Sequence, residues 1–239
     1  MRDAREDWRR FDAGMIPSKA ATPQLDAFLS AVRDRAAGHP PLSLLDVGCG
    51  TGRLARRMHE AGFSVTGVDI SPDAVRAARD QAPAADSAAR GPRFHVADFA
   101  SERQPCIAGG PFDVVVCQLV LSIVGDSVHR NNLLRHVRDN LRQGGWLYLS
   151  ASGVSDSINS GYARLYAEDA HLTGEPYSYC SRDERGHILY ATHHFTVNEL
   201  TSLLASAGFG QIAVTSEKET SSRRPDEAAY FLYATCRRA

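Results

Sequence analysis

Two hydrophobic rhythms take turns along this chain. Compact apolar runs at Leu42 to Val47, Phe63 to Ile70, Arg93 to Ala97, Phe112 to Cys117 and Trp146 to Ser150 read as strands. The Phe112 to Cys117 run is continuous and β-branched, as expected of a buried central strand. Between the runs, apolar residues fall on one helical face. Leu25, Phe28, Leu29 and Val32 mark a helix to about Ala36, begun by Thr22-Pro23, a capping residue followed by proline. Ser71-Pro72 opens another in the same way. Leu54 to Ala61 is predicted helical and ended by Gly62, and Asp126 to Arg142 is predicted helical and closed by Gly144-Gly145. Thr196 and Glu199 have the spacing of a capping box, with Phe195 and Leu200 as its hydrophobic staple, so a helix runs to about Ala207. Gln211 to Thr215 and Ala228 to Cys236 predict two last strands, joined by a polar link from Ser216 to Glu227. This alternation predicts a parallel sheet covered by helices.

The stretch from Ala151 to His194 breaks the rhythm. It holds five tyrosines, four histidines and Gly153, Gly161, Gly174 and Gly186, and is expected to form an insertion over one end of the sheet. The chain of 239 residues is long enough to bury a core as a single domain. Its parts are expected to be a helical lid over 1–40, a cofactor-binding core over 42–152, a substrate-side insertion over 153–194, and a helix and hairpin over 195–239.

Composition narrows the partners. Lys plus Arg number 27 and Asp plus Glu 28, so the formal charge is −1 and the basic surplus of a phosphate-neutralising protein is missing. DNA is therefore not expected as a partner. The five cysteines, Cys49, Cys106, Cys117, Cys180 and Cys236, are scattered without a CxxC pair, which predicts neither a zinc knuckle nor a disulfide framework. The amino terminus is charged throughout and lacks the apolar core of a signal peptide, and no apolar run suits a membrane span, so a cytoplasmic protein is expected.

The densest chemistry lies in Leu44-Leu45-Asp46-Val47-Gly48-Cys49-Gly50-Thr51-Gly52-Arg53-Leu54, a buried strand running into a glycine turn and a helix. Glycines allow positive φ and close approach of a ligand, and the helix start offers free N–H groups. A dinucleotide fingerprint needs Gly-x-Gly-x-x-Gly, and its third glycine position holds Arg53 here. Asp69 closes the second strand, 19 residues after Gly50, where a carboxylate can accept both hydroxyls of a ribose. Asp98-Phe99 closes the third strand, where an acid can accept from an adenine amino group.

These motifs, with Val68-Asp69-Ile70-Ser71, Ala97-Asp98-Phe99, Gly144-Gly145-Trp146-Leu147 and Ala207-Gly208-Phe209, resemble the consecutive motifs of class I S-adenosylmethionine-dependent methyltransferases. The resemblance implies a Rossmann-like three-layer α/β sandwich with a seven-stranded, mostly parallel sheet of order 3-2-1-4-5-7-6, strand seven antiparallel. It implies that Asp46, Gly48, Cys49, Gly50 and Gly52 hold the methionine part of S-adenosylmethionine and Asp69 the ribose, with Ile70 against the adenine. It further implies that Asp98 meets the adenine amino group beside Phe99, and that Gln118 and Leu119 face the sulfonium. The Asn/Asp-Pro-Pro-aromatic motif of nucleobase amine methylation is replaced here by Cys117-Gln118-Leu119-Val120, which disfavours such acceptors.

The acceptor is then expected to be a small molecule, methylated on O or N, by a monomer or homodimer. The activity rivals are methylation of a peptide, protein or tRNA nucleoside, a non-catalytic binder of the same cofactor, and an NAD or nucleotide-sugar enzyme. Methyl transfer needs mostly positioning and desolvation, and a hydroxyl acceptor also needs a base. His193 and His194 are the candidate bases, with polar loop residues as the plainer alternative; Tyr190, His171 and His187 are weaker. Tyr162, Tyr166 and Tyr190 are candidate acceptor contacts, with Tyr177 and Tyr179 beside them, although Tyr162 and Tyr166 also suit one helix face packed on the core. Trp8 and Phe11 are candidate lid residues, Arg223-Arg224 a candidate grip for an acidic acceptor, and Cys49 is assigned no redox role. No metal site is expected.

Overall fold

The computed structural model describes residue 8 and residues 22–36, 40–81, 91–220 and 227–239. Phe11, Arg223 and Arg224, and most of the expected lid, lie outside them. The elements described follow one another as α1 (Pro23–Arg35), β1 (Ser43–Val47), α2 (Arg53–Glu60), β2 (Ser64–Asp69), α3 (Pro72–Asp80), β3 (Arg93–Val96), β4 (Phe112–Gln118), α4 (Ser127–Asn140), β5 (Leu141–Gly153), α5 (Ser160–Thr173), β6 (Ser178–Arg182), β7 (Ile188–His193), α6 (Val197–Ser206), β8 (Phe209–Thr220) and β9 (Ala228–Arg238). A 3-10 turn, Leu121–Ile123, lies between β4 and α4.

The main sheet runs β3-β2-β1-β4-β5-β9-β8. β1 to β5 are parallel neighbours, and β9 is antiparallel to both β5 and β8. Counting β8 and β9 as the sixth and seventh strands of that sheet, this is the order 3-2-1-4-5-7-6 expected from the sequence, with the last strand antiparallel.

Side-chain alternation splits the core in two, as a sheet covered on both faces requires. Leu45, Val115, Cys117, Leu147 and Leu149 face Leu133, Leu134 and Val137 of α4 and Leu200 and Leu204 of α6. Their neighbours Leu44, Val114, Val116 and Tyr148 face Leu25, Phe28 and Leu29 of α1, Met58 of α2 and Val75 of α3. The helix starts follow the capping logic: the side chains of Thr22, Ser71, Asp126 and Thr196 each accept an N–H from the first turn.

Two boundaries differ from expectation. The helix expected to Arg142 stops at Asn140, and the glycines expected to close it fall within β5, where the register with β4 shifts after Phe112↔Leu141 and resumes at Val114↔Trp146. β8 and β9 run beyond their apolar centres, because the hairpin ladder between them continues through polar residues, mostly exposed in β8 and half-buried in β9.

The segment with mixed periodicity holds α5 and a two-stranded sheet of β6 and β7. It leaves the main sheet at Gly153 and returns at Phe195, and these residues bridge: Val154 N–H donates to Phe195 O, and Phe195 N–H to Ser152 O. The segment thus rises from the carboxyl end of β5, beside the turns that follow β1 to β4. No helix among the described residues is long and apolar enough to cross a membrane.

Candidate functional site

The parallel strands β1 to β4 deliver Asp46, Asp69, Asp98 and Gln118 to one end of the sheet, where the following turns converge. Gly48, Gly50 and Gly52 all have positive φ, at 76°, 52° and 76°. The reasons for glycine differ along the turn. A Cβ on Gly48 would stand 2.2 Å from Val120 Cγ2, and one on Gly52 would stand 2.6 Å from the Phe94 ring, whereas one on Gly50 would meet nothing within 4 Å. Gly48 and Gly52 therefore serve the packing of the protein, and Gly50 alone borders open space.

Asp69 builds that space. Its carboxylate accepts the Gly50 N–H at 2.8 Å and the Ser71 N–H at 2.9 Å, tying the glycine turn to the end of β2. A carboxylate has about four acceptor positions, so capacity for ribose hydroxyls remains. Burial raises its pKa against the opposing pull of the Ser71, Gly50 and Ile70 N–H groups. Asp46 is only 2% exposed, and its Oδ2 has no hydrogen-bond partner among the described residues. Burial, and then the neighbouring Asp69 charge, push its carboxyl up to about 7. An unpartnered buried acid beside an open glycine suits a cationic group such as the ammonium of a methionine moiety. Cys49 is buried, and its thiol is held well above its ordinary pKa by burial and by both acids, so it stays protonated.

Past β3, Asp98 accepts the Ala100 N–H at 3.0 Å, and the Ser101 hydroxyl donates to the Asp98 carbonyl. Phe99 follows Asp98 into the protein interior. It is 4% exposed and packs in the core, edge-on to His136 at 6.3 Å, because the chain turns inward after Asp98. Ile70 and Gln118 are half-buried. Leu119 has φ 59°, a costly conformation for a branched side chain. It is held by its N–H donating to both the carbonyl and the hydroxyl of Ser150. This strained turn seats Val120 against Gly48, a contact invisible in the sequence.

The residues expected to act on the acceptor are more enclosed than the sequence suggested. His193 is 3% exposed, and both its ring nitrogens are engaged: Nε2–H donates to Glu199 Oε1 at 2.8 Å, and Nδ1 lies 2.7 Å from the Ser178 hydroxyl. Arg130, itself buried, grips Glu175, whose carboxylate lies 3.7 Å from His193. Burial works to raise the Glu199 carboxyl, but the His193 hydrogen bond and charge outweigh it and hold it below the usual range. A base needs a ring nitrogen open to its acceptor, and His193 has none; it links β7 to α6.

His194 is 2% exposed and surrounded by Tyr162, Tyr179 and Tyr166, with ring centroids at 4.9, 5.3 and 5.7 Å. The Tyr166 hydroxyl lies 2.6 Å from His194 Nδ1. Tyr162 and Tyr166 stack on one helix face, and Tyr162 joins the core, which is the packing alternative considered for them. Tyr166 remains half-buried, so it is the member of this pair with surface to offer. Tyr190, 4% exposed, packs at 4.3 Å on Trp8, whose indole N–H donates to the Ile123 carbonyl. Trp8 thereby joins Tyr190 to the turn after β4. Among the described residues no three His, Cys, Asp or Glu side chains converge as a metal site would need.

Comparison with known proteins bears on the family and the fold. Residues 22–214 match the family model described as a methyltransferase domain. The ubiquinone biosynthesis O-methyltransferase of Albidiferax ferrireducens is 34% identical over 107 residues, 45% of this chain and 40% of that protein. The chain thus spans less than half the length of this relative. A structure of a SAM-dependent methyltransferase from Methanosarcina mazei superposes with TM-score 0.77 at 26% identity, covering 91% of this chain and 98% of that one. The Burkholderia thailandensis 1,6-didemethyltoxoflavin-N1-methyltransferase, solved with bound 1,6-didemethyltoxoflavin and S-adenosylhomocysteine, shares the fold at TM-score 0.59 and 20% identity, over 92% of this chain and 79% of that one.

Proposed function

Because the chain belongs to the methyltransferase-domain family, we propose that it transfers the methyl group of S-adenosylmethionine to a small-molecule acceptor, on oxygen or nitrogen. The observation that carries this reading is the pairing of an open, positive-φ Gly50 with an unpartnered buried Asp46 and the partly committed carboxylate of Asp69. When bound, S-adenosylmethionine supplies a methyl group activated by a sulfonium. Asp46 receives the ammonium, Asp69 the ribose hydroxyls, and Asp98 the adenine amino group. The turn of Gln118 and Leu119 faces the reacting end, and the segment 153–194 covers it and excludes water.

The small-molecule acceptor is supported by the balanced charge, and by a relative named as a ubiquinone biosynthesis O-methyltransferase. His194 is too enclosed to touch an acceptor, so its route to one runs through the Tyr166 hydroxyl. Calorimetric titration with S-adenosylhomocysteine, with NAD as control, tests the reading. One-site binding of the first alone is expected, and binding of NAD alone would overturn it.

A further inference from the structure

The loop that carries Asp98 is held from outside by one face of α4. His136 Nδ1 lies 2.9 Å from the Phe99 carbonyl oxygen. A carbonyl only accepts, so this nitrogen carries the proton and donates. One turn earlier, Asn132 Nδ2 donates to the Ala100 carbonyl at 3.3 Å, and Arg135 donates to Asn132 Oδ1 at 3.0 Å. The peptide between Phe99 and Ala100 is consequently gripped at both ends. Its carbonyl accepts from His136, and its N–H donates to the Asp98 carboxylate at 3.0 Å. His136 is 1% exposed and Asn132 8%, so these bonds are sheltered from water.

We propose that His136, acting through the Phe99–Ala100 peptide, is a positioning residue that orients the Asp98 carboxylate and so sets the protein's selectivity for adenine in its cofactor. This rests on the reading of Asp98 as the adenine contact. A rotation of that peptide would carry the N–H that fixes one carboxylate oxygen with it, and the other oxygen would lose its aim. Core packing alone would ask only for an apolar side chain at 136, since the ring already lies edge-on against Phe99. The buried donor is the part that packing does not need.

The test compares affinity for S-adenosylhomocysteine with affinity for S-inosylhomocysteine, in which a keto oxygen replaces the amino group and would face the carboxylate acceptor to acceptor. Wild type is expected to prefer the adenine ligand by about tenfold or more. His136→Leu, which keeps the packing and removes the donor, should bring the two affinities within about threefold. His136→Asn, whose amide nitrogen can take the Nδ1 position, should restore the preference. If Leu at 136 prevents folding, Asn132→Ala releases the Ala100 carbonyl instead and should lower the same ratio. Full preference retained in His136→Leu would overturn the inference and leave the adenine reading standing. Equal affinities in wild type, or binding of neither ligand, would overturn the adenine reading and the inference with it.

Discussion

The turns after β1 to β4 and the segment 153–194 meet at the same end of the sheet, but their hydrogen bonding is completed to different degrees. In the first region Asp46 keeps a buried oxygen without a partner, Gly50 borders open space, and Leu119 sits in a strained conformation. In the second, no buried side-chain atom among the described residues lacks a partner. Asp169 is closed by Arg182 at 2.6 Å and by the Cys180 N–H at 2.8 Å, and Arg130, Glu175, His193 and Glu199 form one connected set. An unfinished region is poised for something that arrives; a finished one holds shape. The histidines and tyrosines that look most chemical in the sequence belong mostly to the finished region.

The largest test of that contrast breaks the finished side. Arg130 is 4% exposed and holds both Glu175 and the Val124 carbonyl. Arg130→Ala should lower stability by about 3–5 kcal/mol, the usual cost of opening a buried pair. Denaturant unfolding checks this, and S-adenosylhomocysteine affinity in the folded fraction should hold. Loss of affinity with stability intact would place Arg130 in the site instead.

A smaller effect comes from the unfinished side. Asp46 titrates near 7 when folded against 3.8 for an ordinary carboxyl. The folded state therefore holds a proton that the unfolded chain releases between those values. Stability from this group is present below about 4 and lost as pH rises toward about 7, by about 2–4 kcal/mol. Asp46→Asn should remove that decline, so that the variant melts higher than wild type at pH 8 while binding S-adenosylhomocysteine more weakly. Parallel melting curves across pH would show that Asp46 is already ionised. In wild type, ligand affinity should rise with pH up to about 7, because the ammonium favours the ionised acid.

The glycines divide the two kinds of region within one turn. Gly48→Ala drives a methyl into Val120 in addition to the φ penalty, and should cost about 2–3 kcal/mol of stability. Gly50→Ala carries the φ penalty alone, about 1 kcal/mol, since nothing in the protein stands near its Cβ. Its loss of S-adenosylhomocysteine affinity should nonetheless be the larger of the two. The reverse order, read by melting and titration together, would mean that the ligand passes elsewhere.

The strands, the helix starts and the glycine turn were legible because each depends on local chemistry, whereas the strand order followed only from the resemblance to a known family. Apolar alternation sets strand faces, a hydroxyl or acid before the first turn caps a helix, and a glycine marks positive φ. The place of Asp46, Asp69 and Asp98 in the fold was legible for a similar reason: each lies at or just past the carboxyl end of a strand, where parallel strands deliver their loops. The reason for Gly48 was hidden, since it is Val120, 72 residues away and brought in by a left-handed leucine. The roles of His193 and His136 were hidden too. Ser178, Glu199 and the Phe99 carbonyl become their partners only through tertiary packing, so a histidine's neighbours in sequence give no sign of whether its ring is already satisfied.

The finest division lies between two atoms 2.6 Å apart, the Tyr166 hydroxyl and His194 Nδ1. His194 belongs to the closed side, while Tyr166 is half-buried, and burial lifts its phenol well above the usual range, so it stays neutral at working pH. A neutral phenol bonded to an imidazole can take an acceptor's proton only as it passes its own to the histidine. Tyr166→Phe keeps the ring stacked on Tyr162 and removes that path. Its cost in stability should be about 1 kcal/mol, as one hydrogen bond is lost. S-adenosylhomocysteine affinity should stay at the wild-type value, and turnover of a hydroxyl acceptor should fall by about tenfold or more. Full turnover in this variant would move Tyr166 to the finished side with the rest of its cluster, and the acceptor would then lose its proton to solvent or to a residue beyond the cluster.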